Sequence, residues 1–380
     1  MQPQVAVVGA ATTNFIFHDP RRLEELVFAA ASAALADAGV TRQEVDAVVL
    51  AACDELDGRS ISSMITAAPA GAYLKDEIKV TDEGAYAVIM GALRIMAGVS
   101  DVVLAVSWSK VSEAPLDNVT RMRAEPFFHR DAGLNHMTAL ALVAGAYRRA
   151  YGVSPETTAE VVVKNRRHAL LNPWAAVQAE TGVEDVLASP TVAWPLRRGE
   201  LAPLADGACA VVLAGRKWVE ARGLRPVWLK GFAWAADSYH LGSRRLSELS
   251  SLRAAARRAY AMAGIGGPRS DINVAEVCDL VPDLELMACE ALGFCGPGEG
   301  ADLLRSGTTG LNGSLPVNPS GGMQGGNPFF CAGMVRFVEA YRQVAGRAGQ
   351  YQVPGVRTAL AHASSGFAGQ QNAVFVLGKE

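Results

Sequence analysis

The stretch ALGFCGPGEGADLLRSGTTGLNGSLPVNPSGGMQGGNP, residues 291–328, decides the fold. It contains eleven glycines and runs straight into FFCAGMVRFVEAYRQVA, an apolar segment with helical spacing. Glycine tolerates positive φ and lets backbone come close to a neighbour, because it has no Cβ. So much of it before a helix marks a loop that approaches something closely.

Working outward, the chain repeats itself. AASAALADAGVTRQEVDAVVL (residues 30–50) and AAARRAYAMAGIGGPRSDINVAEVCDL (254–280) both read as an Ala-rich helix, a glycine stop, a connector and a buried strand. Gly39 and Gly264 fall where a helix C-cap needs φ > 0. GAYAVIMGALRIMAGVSDVVLAV (84–106) and GMVRFVEAYRQVAGRAGQYQVPGVRTALAH (333–362) repeat the helix–strand order a second time. VAVVGA and ACAVVLAG (208–215) complete one half; PVWLKGFAW (226–234) and AVFVLG (373–378) complete the other. Their continuous apolar runs suit strands buried on both faces. The segment from about 110 to 200, richer in Arg, Pro, His and Trp, reads as an inserted helical and loop region. The expected division is 1–220 for the first half with its insertion and 221–380 for the second.

Composition excludes several classes. The chain has 380 residues, is 50% hydrophobic and carries a formal net charge of −3. That is ample for a large core and a poor match to a nucleic-acid partner. Its apolar runs are too short and too broken for a membrane span. MQPQVAVVGA has a strand pattern without the features of a signal peptide. Six cysteines are scattered with no CxxC pair, so a zinc site is not expected, and a reduced cytoplasm is the simplest compartment.

This ordered set of motifs resembles the thiolase superfamily, and most of all its sterol-carrier-protein and lipid-transfer-protein branch. The carriers are LGFC-x-x-GE, the G-x-LPVN-x-x-GG loop and VVVKNRRHALLNPWA (161–175). The resemblance covers nearly the whole chain. It implies an α/β thiolase fold of duplicated βαβαβ halves, layered α-β-α-β-α, acting on coenzyme A thioesters. CoA would then be substrate or ligand, with no permanently bound cofactor.

Such proteins use a Cys at a helix N-terminus as nucleophile, a His in a Gly-His-Pro segment, and a further His or Cys near the C-terminus to move the α-proton. This chain departs from that pattern. Counting back from the helix that stops at Gly98 puts the nucleophile position at Thr81, whose hydroxyl has no evident activating base. Asp82 and Glu83 beside it read as helix N-terminal caps. The Gly-His-Pro segment becomes Gly326-Asn327-Pro328, and Asn327 can donate to an oxyanion but cannot act as a base. Cys278, before Asp279, is either an active-site thiol or a small packed residue. His362 in LAHASSGFAG is the first candidate base, with Ser364 and Gly366 beside it; a satisfied buried histidine is the alternative. His136 in GLNHMTALAL is a second candidate, or else a surface residue at a helix start. Arg121, Arg123, Arg130, Lys164, Arg166 and Arg167 lie where the resemblance places the nucleotide end of CoA, and of these Arg123 and Arg166 are carried forward as CoA ligands together with Gly326 and Gly366.

Three functions fit. One is carbon–carbon cleavage or formation without an acyl-Cys intermediate, aldolase-like, in a heteromeric complex. Another is a non-catalytic subunit that scaffolds an active thiolase paralogue or a small partner with a zinc ribbon and OB-like fold. The third is acyl transfer through another thiol, Cys278 or Cys53. The resemblance also implies a homodimer or a heterodimer.

Overall fold

A computed structural model describes residues 4–380. Nine strands form one sheet: β1 (Val5–Thr12), β2 (Ala47–Ala52), β3 (Asp76–Thr81), β4 (Val102–Ser109), β5 (Gly207–Gly215), β6 (Val227–Ala236), β7 (Val274–Glu276), β8 (Thr358–Ser365) and β9 (Gln371–Gly378). Seven helices matter here: α1 (Leu23–Ala38), α2 (Ala85–Met96), α3 (His136–Tyr151), α4 (Pro155–Ala169), α5 (Ser250–Ala263), α6 (Pro282–Ala291) and α7 (Ala332–Ala345).

The strand order is β3-β2-β4-β5-β1-β6-β9-β8-β7. The two halves meet at the antiparallel pair β1–β6, where Val5 faces Leu229. Outward from that seam, each half runs first strand, last strand, last but one, second strand. β2 is parallel to its outer neighbour β3. In the second half the equivalent edge has shrunk to one parallel bridge, Ala275–Val317, inside the LPVN segment. The duplication read from the sequence is thus a mirror order in the sheet. The predicted caps are present as well: Gly39 and Gly264 have φ of 62° and 73°.

Three layers of helix flank the two halves of the sheet, one packed on both inner faces and one on each outer face. α2 and α7 lie in the middle, packed against the inner faces of both halves through Val49, Val103, Val211, Ala361 and Phe375. α1 covers the outer face of the first half. α5 and α6 cover the second, together with α3 from the insertion. Because α7 is enclosed on almost all sides, its charged residues must be paired. Arg336 meets Glu276 at 2.7 Å and Arg342 meets Glu339 at 2.6 Å. Among the described residues, no helix is long and apolar enough to cross a membrane.

Candidate active site

The N-termini of α2 and α7 converge beneath the insertion, and a cavity of about 300 Å³ opens beside them. Its floor is the turn from β3 into α2. Asp82 in that turn has φ 69°, and Phe329, just before α7, has φ 35°. Positive φ on non-glycine residues is backbone strain, which clusters at functional sites. Both residues line the cavity, as do Glu83, Arg123, His136, Tyr239, Cys278 and Ser364.

Thr81, the predicted nucleophile position, ends β3 exposed and does not line the cavity; its hydroxyl lies 3.3 Å from Asp82 Oδ1. The residue turned into the cavity is its neighbour Asp82. Arg123 grips Asp82 with two bonds, Nη1 to Oδ2 at 2.8 Å and Nη2 to Oδ1 at 2.6 Å. It also reaches Glu55 at 3.2 Å and lies over the Phe330 ring at 4.9 Å. A guanidinium engaged in this way has little left for a CoA phosphate, which was its expected role.

Glu83 does cap helices, but mainly the one from the other half of the chain. Its Oε1 accepts from Gly333 N at 2.9 Å, Met334 N at 3.3 Å and Ala85 N at 3.3 Å. Those donors open both α7 and α2. Burial nevertheless pushes the carboxyl up to about 8, against the pull of the three N–H groups and with help from Asp82.

His136 is the first residue of α3, capped by Asn135, whose Oδ1 accepts from Thr138 N at 2.9 Å. Its ring packs edge-on against Phe329 at 5.4 Å, and its Nε2 is buried with no partner among the described residues. Burial, then the nearby Arg123 charge, lowers its pKa to about 4, so the ring is neutral near pH 7.

His362 is placed elsewhere. It stands in the interior of β8 rather than at its end, and strand alternation sends Ala361 and Ala363 to the central helices and His362 to the outer face. There Nε2 donates to Asn372 Oδ1 at 2.8 Å, and Asn372 in turn donates to Ser251 Oγ at 2.8 Å. The ring is 1% exposed and absent from the cavity wall. Burial holds its pKa at about 4. Its Nε2 is bonded and its Nδ1 is buried without a partner among the described residues.

The thiols are muted. Cys278 reaches the cavity, but it donates to the His362 carbonyl at 3.3 Å, and burial raises its pKa far above the usual thiol value. Cys53 donates to Glu55 at 3.2 Å and is pushed up to about 12, again by burial. Neither is an ionised nucleophile near neutral pH.

The glycine loop approaches protein, not the cavity. A Cβ on Gly321 would sit 2.7 Å from Ala169 Cα in α4, and one on Gly322 would sit 2.5 Å from the Asp279 carboxylate. Asp279 fixes the loop through Met323 N at 2.6 Å and is held by Asn165 at 2.8 Å. Only Met323 of this loop reaches the cavity. Gly326 packs against Ala176 and Phe15, whereas Gly366 does line the cavity. Asn327 is buried, with Oδ1 accepting from Phe329 N at 2.9 Å and Nδ2 unpaired among the described residues. Arg166 donates to Gly199 O at 2.9 Å and is away from the cavity.

Sequence reasoning missed the aromatic wall of Tyr239, Phe330 and Phe367, and it missed Glu83 as a cavity residue. The aromatics come from three distant segments with no shared motif. Glu83 bonds across 250 positions of sequence.

Comparison with known proteins agrees with the architecture. The thiolase N-terminal domain profile matches residues 5–181, and the thiolase C-terminal domain-like profile matches 233–379. The chain is 30% identical over 375 residues to an acetyl-CoA acetyltransferase of Methanothermobacter thermautotrophicus, covering 96% of this chain and 97% of that protein. It is 28% identical to the 17-hydroxy-3-oxo-4-pregnene-20-carboxyl-CoA lyase of Mycobacterium tuberculosis, over 96% and 97% of the two chains. The solved Ltp2-ChsH2(DUF35) aldolase superposes with a TM-score of 0.84 at 25% identity, over 99% of this chain and 98% of that one. A monomeric SCP2-thiolase-like protein of Mycobacterium smegmatis shares the fold, with a TM-score of 0.75 at 20% identity, over 100% of this chain and 78% of that one. The chain belongs to the thiolase superfamily, on its sterol-carrier-protein-2-like branch.

Proposed function

We propose that this protein is a lyase of the aldolase type, cleaving a carbon–carbon bond in a β-hydroxyacyl-CoA as part of a heteromeric complex. One observation carries the reading. Where a thiolase needs an ionisable thiol, this cavity offers an imidazole and carboxyl groups, while both nearby thiols stay protonated. Retro-aldol cleavage needs no acyl-enzyme. It needs a base for the β-hydroxyl proton and donors for the thioester enolate.

His136 is the candidate base: the residue lines the cavity, its buried Nε2 has no partner among the described residues, and its ring is neutral near pH 7. As the Cα–Cβ bond breaks, its electron pair moves to the thioester oxygen. Ser364, which lines the cavity, is the candidate donor, whereas Asn327, expected as one, is off the cavity wall. The lyase and aldolase among the relatives support the same chemistry. The aldolase structure is named for two proteins, which supports looking for a second subunit here, and the cytoplasm remains the proposed compartment. A non-catalytic subunit is the second reading, favoured by the Arg123–Asp82 pair that closes on itself inside the cavity.

The test starts with native mass spectrometry of the protein from its own cells, followed by assay of whatever complex it forms. A branched β-hydroxyacyl-CoA should yield a carbonyl product and a shortened acyl-CoA. CoA-dependent thiolysis of acetoacetyl-CoA instead would sink the lyase reading. Neither activity, in a complex with an active paralogue, would establish the scaffold.

A further inference from the structure

The mechanism above leaves one buried acid on the cavity without a task. Glu83 is 1% exposed, yet its two oxygens differ. Oε1 is saturated by three backbone N–H groups at the mouths of α2 and α7. Among the described residues Oε2 has no hydrogen-bond partner, and the residue lines the cavity. A carboxyl held this way presents one fixed oxygen to the cavity while its other oxygen is tied to two helix N-termini.

We propose that Glu83 is the proton donor that quenches the thioester enolate at its α-carbon. This deepens the lyase reading and rests on it for the identity of the enolate. In the step, the Oε2–H bond breaks, the enolate π pair forms the new Cα–H bond, and the carbonyl C=O is restored. The charge left on Glu83 falls on a carboxylate already cradled by three N–H donors and two helix dipoles, which stabilise an anion there. The β-hydroxyl proton meanwhile rests on His136, and transfer through solvent resets the pair with no net oxidation. Burial keeps Glu83 protonated near neutral pH, as a donor requires. The ionisable and charged groups that face it are Asp82, Tyr86, Cys278 and Cys209, with Arg123 beyond Asp82.

Glu83→Gln is the probe, because the amide oxygen can still accept from all three N–H groups. In heavy water with acetyl-CoA, the wild-type protein or complex should wash deuterium into the α-carbon, and Glu83→Gln should slow that exchange at least ~100-fold. Binding of acetyl-CoA by calorimetry should hardly change. The infrared carbonyl stretch of protonated carboxyls near neutral pH, to which buried Glu276 also contributes, should lose one component in the variant, and this readout needs no turnover. Exchange at the wild-type rate in Glu83→Gln, or no such band lost, overturns the proposal. A wild type that cleaves β-hydroxyacyl-CoA without exchange also overturns it and leaves the lyase reading intact. Exchange without cleavage does the reverse.

Discussion

Replacing His362 with Gln separates a structural histidine from a catalytic one. Gln can still donate to Asn372 Oδ1, now bonded to Nε2 at 2.8 Å, but it cannot take up a proton. The folded pKa of His362 is lowered to about 4 by burial. The unfolded value is about 6.5. A group whose folded pKa is depressed in this way contributes stability that is intact above the unfolded pKa and is lost as pH falls from there toward the folded one. From about pH 7.5 to about pH 5.5, linkage with those two values gives a loss of ~1.3 kcal/mol from this residue alone. Buried carboxyls with raised values, Glu276 at about 7 among them, change stability in the opposite sense over the same range. The useful quantity is therefore the difference between the two proteins. Urea unfolding at both pH values should show the wild type losing ~1.3 kcal/mol more than His362→Gln. Turnover by the same variant should stay within about threefold of wild type, because the ring is off the cavity. Parallel stability curves would refute the burial argument, and a hundredfold loss of turnover with the fold intact would return His362 to the chemistry.

Two further outcomes follow from the same geometry. Gly322→Ala places a methyl 2.5 Å from the Asp279 carboxylate at φ 62°, so it should destabilise by at least ~2 kcal/mol, read as a lower urea midpoint. Cys278→Ser and Cys53→Ser should each keep at least about a third of wild-type turnover, and iodoacetamide should label both thiols slowly near neutral pH, since burial keeps them protonated. Loss of turnover with either serine variant would revive acyl transfer.

How much of this was legible depends on the range of the interaction that decides each feature. Gly39 and Gly264 end their helices for reasons contained within a few residues, so the repeat and the layered fold could be read directly. The face on which His362 lies depends on strand register, and shifting the register by one residue would have put it on the inner side. The sequence shows a histidine among small residues, and that description fits both faces. The glycine loop was legible as a close approach, but what it approaches was not. Gly321 needs no Cβ because of Ala169, and Gly322 because of Asp279.

Glu83 carries the same lesson into function. Read locally, an acid at the start of α2 is a cap for its own helix. Duplication of the fold brings a second helix N-terminus, that of α7, to the same point, and the shortest of its three bonds goes there, to Gly333. Two helix N-termini form a site that favours a negative charge. In the pattern this chain resembles, such an end favours a thiolate. Here the chain fills the place with its own carboxyl, anchored through one oxygen and desolvated enough to stay protonated. The same electrostatic field that would lower a thiol pKa then stabilises the carboxylate left after proton donation. On the proposed reading, the field at these helix ends serves Glu83 as an acid, where the pattern that the chain resembles would have it serve a nucleophile.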